Sequence, residues 1–190
     1  MADDLQATVC EVPDWGWVGL VASERGLRLL VLPQPTREAA VRAVHRNYPE
    51  VIVVADPQSL DITGAPSPAV AVLSEAARQV RAYLAGARVE FQVPLDLRGH
   101  TEFALSVWAV TRRVGYGETR TYRWIGEQLG GGPGIYQAVG AALGANPVPL
   151  IIPCHRVVGT DGSLHGYAGG LAMKRRLLAL ESGQDPLAGL

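Results

Sequence analysis

The chain has 190 residues, 48% of them hydrophobic and 18% charged, and a formal net charge of −1. This balance is typical of a folded protein with one large or two small cores, and it excludes a chain that is disordered over most of its length. The first residues lack the basic region and apolar run of a signal peptide, and no apolar run reaches the roughly 18 residues that a membrane span needs. With only two cysteines in the chain, we expect neither a disulfide-held secreted protein nor a membrane protein. We therefore expect a cytoplasmic location.

The first half of the chain predicts a sheet with helices packed on it. Apolar residues 17–22 and 27–32 flank a turn-rich segment at 23–26, which is the pattern of a β-hairpin. Thr36 is a suitable N-cap for a helix over residues 37–44. The elements expected next are a strand over 51–55, a loop over 57–68, a helix over 70–87 and a strand over 89–97.

The second half predicts short helices separated by Gly and Pro. The first follows Thr101 and has its apolar side at Phe103, Val107, Val110 and Val114. This change of pattern places the domain boundary so that residues 1–98 form an N-terminal α/β domain and residues 99–190 a C-terminal domain. Residues 183–190 are expected to form a frayed tail.

Two further helices in the second half enclose a Gly-rich turn. Thr121 is the expected N-cap of a helix over residues 122–129, which the Gly-rich residues 130–134 end. The next helix has an apolar stripe at Ile135, Ala138, Val139 and Ala142. Helix, Gly-rich turn and helix is the outline of a helix-turn-helix motif.

Charge is distributed unevenly between the halves. Nine basic and twelve acidic residues precede Thr101, whereas eight basic and six acidic residues lie from Thr101 onward. The second half is therefore compatible with weak phosphate binding, although this balance alone does not establish a nucleic-acid partner.

Residues 151–159 place Cys154 next to His155. A free thiol has a pKa of about 8.5, so a nucleophilic cysteine needs a base or a positive field, which His155 could supply. Side chains of adjacent residues in an extended segment point to opposite sides, so we expect a water to bridge the two. The alternative is a buried structural cysteine beside a core histidine. The cysteines and histidines lack the paired spacing of a zinc site, and we expect no metal.

The segment Pro153-Cys-His-Arg-Val157 resembles the active-site signature of the O6-alkylguanine-DNA alkyltransferases. Further matches follow in the family's order, upstream at 116–119, Tyr122, 138–140 and 146–149, and downstream at 166–170 and Glu181. The resemblance is specific over residues 101–182 and looser before them. It implies a ribonuclease-H-like α/β N-terminal domain and a small, mainly α C-terminal domain with a helix-turn-helix. It also implies an enzyme that repairs O6-alkylguanine in DNA by moving the alkyl group to its own cysteine, once and irreversibly.

The resemblance implies roles for the residues around Cys154. Glu181 would orient His155, His155 would polarise a water, and the water would take the thiol proton. Asn146 would hold the turn before the active-site segment, although as a sequence feature it is equally a helix-terminating residue. Tyr122 would donate its hydroxyl to guanine N3 as the base departs. The pocket around the base is expected to comprise Tyr122, Pro149, Val157, Tyr167 and Ala168.

The resemblance also implies that the target base leaves the duplex, because a thiolate cannot reach O6 of a stacked guanine. The helix that starts near Ile135 offers small residues opposite its apolar stripe, which suits a close approach to the narrow minor groove with little sequence specificity. Packing against a neighbouring strand is the alternative role for these small residues. The expected DNA contacts are Arg123, Tyr136, Gln137, Ala138, Gly140, Ala141 and Gly144.

Gln137 departs from the family, which typically carries an arginine there that replaces the extruded base in the stack. Glutamine can bond to the orphaned cytosine but lacks the charge and the planar guanidinium, so we expect weaker DNA binding or slower base extrusion. Arg120, Arg123 and Tyr136 are candidates to compensate.

Three other functions are weighed against repair. A protein that binds alkylation damage without repairing it would need an inert Cys154, and a Cys-His hydrolase would need a route that frees the sulfur again. A transcription regulator would leave residues 153–157 unexplained. We expect no cofactor, double-stranded DNA with an alkylated guanine as the partner, and a monomer. The sequence leaves open whether O4-alkylthymine is a second substrate and whether copies of the protein bind DNA cooperatively.

Overall fold

A computed structural model of the chain describes residues 4–56 and 66–184. It divides into two compact units, Met1–Leu97 and Arg98–Leu190. Most of the predicted loop at 57–68 and most of the predicted tail at 183–190 lie outside the described residues. None of the helices in the described ranges combines the length and apolar character needed to cross a bilayer.

The first unit is built on a four-stranded sheet. Its strands are β1 (Gln6–Val12), β2 (Gly16–Ser23), β3 (Gly26–Gln34) and β4 (Ile52–Val54), in the spatial order β3-β2-β1-β4. β1, β2 and β3 pair antiparallel through tight turns, and β4 pairs parallel with β1. The hairpin of β2 and β3 lies where the sequence predicts it, whereas β1 was not predicted.

Two helices pack on this sheet, α1 (Arg37–Asn47) and α2 (Pro68–Leu84). The side chain of Thr36 accepts a hydrogen bond from Ala39 N, as expected of an N-cap. In β2, every residue from Val18 to Ser23 is buried, so both faces of the sheet are covered. On one face, Ala40 and Val44 of α1 join the core that β1, β2 and β3 supply.

The predicted strand over residues 89–97 is wrong. Apart from a single bridge between Leu95 and Leu27, this segment pairs with no strand. Pro94 has no N–H to offer a ladder, and the N–H of Gln92 donates instead to the Gln79 side chain of α2 at 3.0 Å. Further along, Leu27 N donates to Pro94 O at 2.8 Å and Asp96 N donates to Leu27 O at 2.9 Å, so the segment contacts β3 at one residue without continuing as a strand.

The second unit contains four helices and a two-stranded parallel pair within its described residues. In chain order these are α3 (Glu102–Thr111), β5 (Arg120–Thr121), α4 (Tyr122–Gln128), α5 (Ile135–Gly144), a turn of 3-10 helix (Cys154–Arg156), β6 (Val157–Val158) and α6 (Gly170–Glu181). Thr121 caps α4 as predicted, and Thr101 caps α3, each accepting from the backbone N–H three residues later.

Trp108 ties α3 to α5. It is 1% exposed and its Nε1 donates to Ala142 O at 2.9 Å. Periodicity places Phe103 on the apolar side of α3, but its side chain is 39% exposed. The buried face of this helix is instead the one that carries Val107 and Trp108. Ala138 is likewise exposed rather than part of the buried stripe of α5.

The helix-turn-helix is held close at Gly126. A Cβ at this position would lie 2.9 Å from the Tyr136 ring, so only glycine lets α4 and α5 approach this closely.

Candidate active site

Cys154 opens the turn of 3-10 helix that follows the buried segment 148–153. The expectation of an extended backbone across Cys154 and His155 is wrong, because Arg156 N donates to Pro153 O at 2.9 Å and closes the turn. Successive side chains of a 3-10 helix diverge by about 120° rather than pointing to opposite sides.

Asn146 fastens the chain after α5 to the cysteine. Its Nδ2 donates to Ile152 O at 2.8 Å and to Cys154 Sγ at 3.1 Å, and its Oδ1 accepts from Val148 N at 3.0 Å. Between these anchors, Leu150 adopts a φ of 75°, a left-handed conformation that non-glycine residues adopt only where surrounding contacts enforce it. Asn146 therefore orders the loop and aims a donor at the sulfur.

A buried charge cluster lies beside the cysteine. His155 Nε2 is 2.9 Å from Glu181 Oε1, and Arg156 binds the same carboxylate with Nε at 3.0 Å and Nη2 at 2.8 Å. Gly117 N donates to Glu181 Oε2 at 3.1 Å. Because Arg156 supplies the counter-charge, Glu181 acts as an acceptor and orients His155.

Burial sets the protonation of the resting site. It raises the pKa of the Cys154 thiol, and the Asn146 hydrogen bond and the Lys174 charge oppose this rise. Burial also lowers the pKa of His155, against the effect of Glu181. The resting pair is thus a thiol and a neutral imidazole. With Nε2–H donating to Glu181, the tautomer is assigned with Nδ1 as the basic nitrogen.

A cavity of about 60 Å³ gives access to the sulfur. It is lined by Tyr122, Gly140, Leu143, Gly144, Cys154, Gly166, Tyr167 and Ala168. The structure thus brings Tyr122, Tyr167 and Ala168 of the predicted pocket together with Cys154. A Cβ at Gly140, Gly144 or Gly166 would meet no atom within 4 Å, so the cavity wall is open along these glycines.

Two predicted pocket residues are not in the cavity wall. Pro149 is buried and forms a bridge with Ile152, and Val157 is buried in β6. The Val157 carbonyl accepts from Lys174 Nζ at 2.6 Å.

Sequence reasoning missed Arg156 and Lys174. Arg156 completes the Glu181 cluster, and Lys174 is fully buried in α6. Lys174 precedes Glu181 by seven residues, or about two helical turns, so the two side chains lie on the same face of α6. This spacing is the sequence feature that could have linked Lys174 to the site.

The α4–α5 face presents most of the predicted DNA contacts. Arg123, Tyr136, Gln137, Ala138, Ala141 and Gly144 are exposed, while Gly140 is half-buried beside the cavity. Arg123 pairs with Glu127 at 3.5 Å and Arg120 with Glu118 at 3.1 Å, so acidic neighbours offset both positive charges.

Comparison with known proteins relates both units to one family. Residues 8–97 match the ribonuclease-like domain of 6-O-methylguanine DNA methyltransferase, and residues 102–183 match its DNA binding domain. A methylated-DNA–protein-cysteine methyltransferase of Mycobacterium leprae is 46% identical over 137 residues, 70% of this chain and 82% of that protein. The chain belongs to the 6-O-methylguanine DNA methyltransferase family. The family and fold class predicted from the sequence are thereby confirmed.

Other methyltransferases of this family match the chain over similar or greater lengths. The protein of that name from Mycobacterium bovis is 48% identical over 120 residues, 63% of this chain and 72% of its own. The crystal structure of Mycobacterium tuberculosis O6-methylguanine methyltransferase aligns over 96% of both chains with a TM-score of 0.70 and 35% identity. A structure of the M. tuberculosis protein in complex with DNA gives a TM-score of 0.71 at 35% identity, again over 96% of both chains.

The sequence predicts no metal site in this chain. Across the described parts of this chain, no group of three or more His, Cys, Asp or Glu side chains could hold a metal ion. Cys10 is buried in β1 as a free thiol.

Proposed function

We propose that this protein repairs O6-alkylguanine in double-stranded DNA by transferring the alkyl group to Cys154 Sγ, in a single and irreversible turnover. The observation that carries the proposal is Cys154 in the wall of a cavity, with Asn146 on its sulfur and the His155–Glu181 pair beside it. The structure of the M. tuberculosis relative in complex with DNA supports DNA as the partner.

The first step is removal of the thiol proton. His155 is neutral and its Nε2 is directed to Glu181, so Nδ1 accepts the proton that a bridging water takes from Cys154. Glu181 stabilises the resulting imidazolium, and Arg156 keeps the carboxylate in place. Asn146 Nδ2 stabilises the negative charge that forms on sulfur.

The second step is displacement at the alkyl carbon. The sulfur forms a bond to this carbon, the C–O6 bond breaks, and the electron pair moves onto the guanine. Tyr122 lines the cavity, and burial raises the pKa of its hydroxyl, which therefore stays protonated. It donates to guanine N3, so the departing base does not leave as a bare anion.

DNA is engaged by the exposed face of α5. Ala138, Ala141 and Gly144 are small and exposed, which permits the helix backbone to lie close to the minor groove. The guanine is extruded from the stack into the cavity, and the contacts carry little sequence specificity. Gln137 is exposed next to Ala138, and its amide would bond to the orphaned cytosine. The protein acts as a cytoplasmic monomer.

The test is the intact mass of the protein after incubation with a duplex that contains one O6-methylguanine, followed by peptide mapping. Transfer adds about 14 Da to Cys154 at one equivalent. Cys154→Ser should lose the adduct and retain binding, while Cys10→Ser should behave as the wild type. Lesion binding with no mass change would contradict repair and indicate a damage-binding protein, and an adduct in Cys154→Ser would contradict the assigned nucleophile.

A further inference from the structure

Tyr136 presents a large aromatic side chain in the first turn of α5, the helix proposed to face DNA. It is 40% exposed, and it directly precedes Gln137. The glutamine amide lacks the charge and the planar guanidinium that an arginine would bring to an opened base pair. Arg120, Arg123 and Tyr136 are the candidates to compensate for this glutamine, and their contacts differ.

The two arginines already have carboxylate partners. Arg120 pairs with Glu118 at 3.1 Å, and its guanidinium lies 5.6 Å from the centroid of the Trp124 ring. Arg123 Nε lies 3.5 Å from Glu127 Oε1. Either guanidinium would have to leave its carboxylate to enter a base stack.

Tyr136 shares a face of α5 with residues that line the cavity around Cys154. Gly140 follows it by four residues and Gly144 by eight, and both spacings return to the same side of an α-helix. Both glycines line the cavity. A Cβ at either glycine would meet no atom within 4 Å, so the space along this face is open. Tyr136 therefore lies about one helical turn before the cavity, or about 6 Å along the helix axis.

The Tyr136 ring is held in place from α4. A Cβ at Gly126 would lie 2.9 Å from both Cδ1 and Cε1 of Tyr136, so the ring edge rests against the backbone of α4. Because the ring is fixed before DNA binds, stacking it on a base costs little conformational entropy. Aromatic side chains stack on bases irrespective of sequence, and proteins that enter the minor groove place apolar side chains at opened base steps.

We propose that Tyr136 is a DNA-contacting residue whose ring stacks on the base pair exposed by extrusion of the target guanine. The proposal rests on the proposed function and deepens it. Two adjacent side chains then divide the task of an arginine. Gln137 bonds to the orphaned cytosine, and Tyr136 provides the planar surface that closes the gap in the stack.

The alternative role of Tyr136 is to place Arg123 for a phosphate contact. The Tyr136 side chain is hydrogen-bonded to Arg123, and this bond raises the pKa of the guanidinium. In that role, loss of Tyr136 would weaken binding to every duplex and reduce the salt dependence of binding. A stacking ring predicts a different pattern: the loss falls on the duplex with the lesion, and the salt dependence is unchanged, because a neutral ring releases no counterions.

The experiment measures dissociation constants by fluorescence anisotropy at several salt concentrations, in the Cys154→Ser protein so that no alkyl transfer occurs. Two duplexes of one sequence are compared, with guanine or O6-methylguanine opposite cytosine. Tyr136→Ala should weaken binding to the methylated duplex about tenfold, change binding to the unmodified duplex by less than about twofold, and leave the salt slope unchanged. Tyr136→Phe should keep the original affinity. Phe103→Ala removes a ring of α3 that is 39% exposed and should change neither constant.

A second variant moves the ring without removing it. Gly126→Ala places a Cβ 2.9 Å from the Tyr136 ring and displaces it, while alanine suits a helix interior better than glycine. Gly126→Ala should lower the affinity for the methylated duplex when Tyr136 is present and have no further effect in Tyr136→Ala. Additive losses would contradict the proposal, because they would show that Gly126→Ala acts through helix packing and not through the ring.

Four other results would overturn the proposal: equal losses on the two duplexes, a reduced salt slope, unchanged affinity in Tyr136→Ala, or an equal loss in Tyr136→Phe or Phe103→Ala. These measurements involve no alkyl transfer, so their outcome is separate from that of the intact-mass experiment. A methyl adduct on Cys154 with unchanged binding in Tyr136→Ala would refute only the role of Tyr136. The expected binding pattern without an adduct would refute only repair.

Discussion

Replacing Glu181 by Gln tests a buried carboxylate that accepts hydrogen bonds from three residues of the second unit. The carboxylate accepts from His155 Nε2 at 2.9 Å, from Arg156 Nη2 at 2.8 Å and from Gly117 N at 3.1 Å. Glutamine keeps the volume, removes the charge and turns an amide donor towards one of these donors. The Arg156 guanidinium, whose side chain is 9% exposed, then remains buried without a counterion.

The expected loss is large because a buried ion pair is broken from one side. Removing one partner of such a pair destabilises a protein by about 3–5 kcal/mol. For a chain of this size that corresponds to a fall in melting temperature of about 6–20 °C. Glu127→Gln is the matched control: Glu127 pairs with Arg123 at 3.5 Å on an exposed surface, and its loss should change stability by less than about 1 kcal/mol.

The assay is urea unfolding followed by a signal of the second unit, with melting temperature as a second readout. The double variant Glu181→Gln with Arg156→Met should lose less than the two single variants together, because the stranded charge is then removed. A Glu181→Gln loss of less than about 1 kcal/mol, or strict additivity in the double variant, would refute the argument that the paired charge stabilises this cluster.

Three further predictions concern DNA binding, thiol reactivity and pH. Gln137→Arg adds a positive charge and a planar donor group, so it should tighten binding to duplex DNA in a fluorescence anisotropy titration and speed repair. Unchanged affinity and rate would show that this position does not contact DNA. Burial raises the pKa of Cys10 to about 11, so Cys10 should resist iodoacetamide at neutral pH until urea unfolds the first unit; early labelling of the native protein would contradict this. Burial lowers the pKa of His155, so at low pH the unfolded chain binds a proton there that the native protein does not. The free energy of unfolding should therefore decline as pH falls below about 6.5. In His155→Asn, the free energy of unfolding should depend less steeply on pH.

Much of the local structure could be predicted because its causes lie within a few residues. Thr36, Thr101 and Thr121 accept hydrogen bonds from N–H groups three positions along the chain, so each cap is encoded next to the helix it starts. The hairpin of β2 and β3 follows from alternating apolar runs around a turn. The motif around Cys154 likewise identified the family without knowledge of any long-range contact.

The errors arose where the deciding partner is distant in sequence. Residues 89–97 have a strand-like pattern, yet Gln79 on α2 satisfies the Gln92 N–H in place of a ladder. Phe103 has the periodicity of a core residue, but the orientation of α3 is fixed by Trp108, whose Nε1 reaches Ala142 on α5. In both cases a tertiary hydrogen bond overrides a local preference.

The sequence by itself determined the family and the helix-turn-helix and singled out Cys154 as the candidate nucleophile, since these depend on residue identity and short-range periodicity. Only the tertiary structure decided that Arg156 neutralises Glu181 and that Lys174 is buried with its ammonium on the Val157 carbonyl. Sequence patterns treat charged side chains as exposed, because burial of a charge is unfavourable unless other groups solvate it. Those groups, Glu181 for Arg156 and the carbonyls of Val157 and His165 for Lys174, are brought into place by packing between elements far apart along the chain.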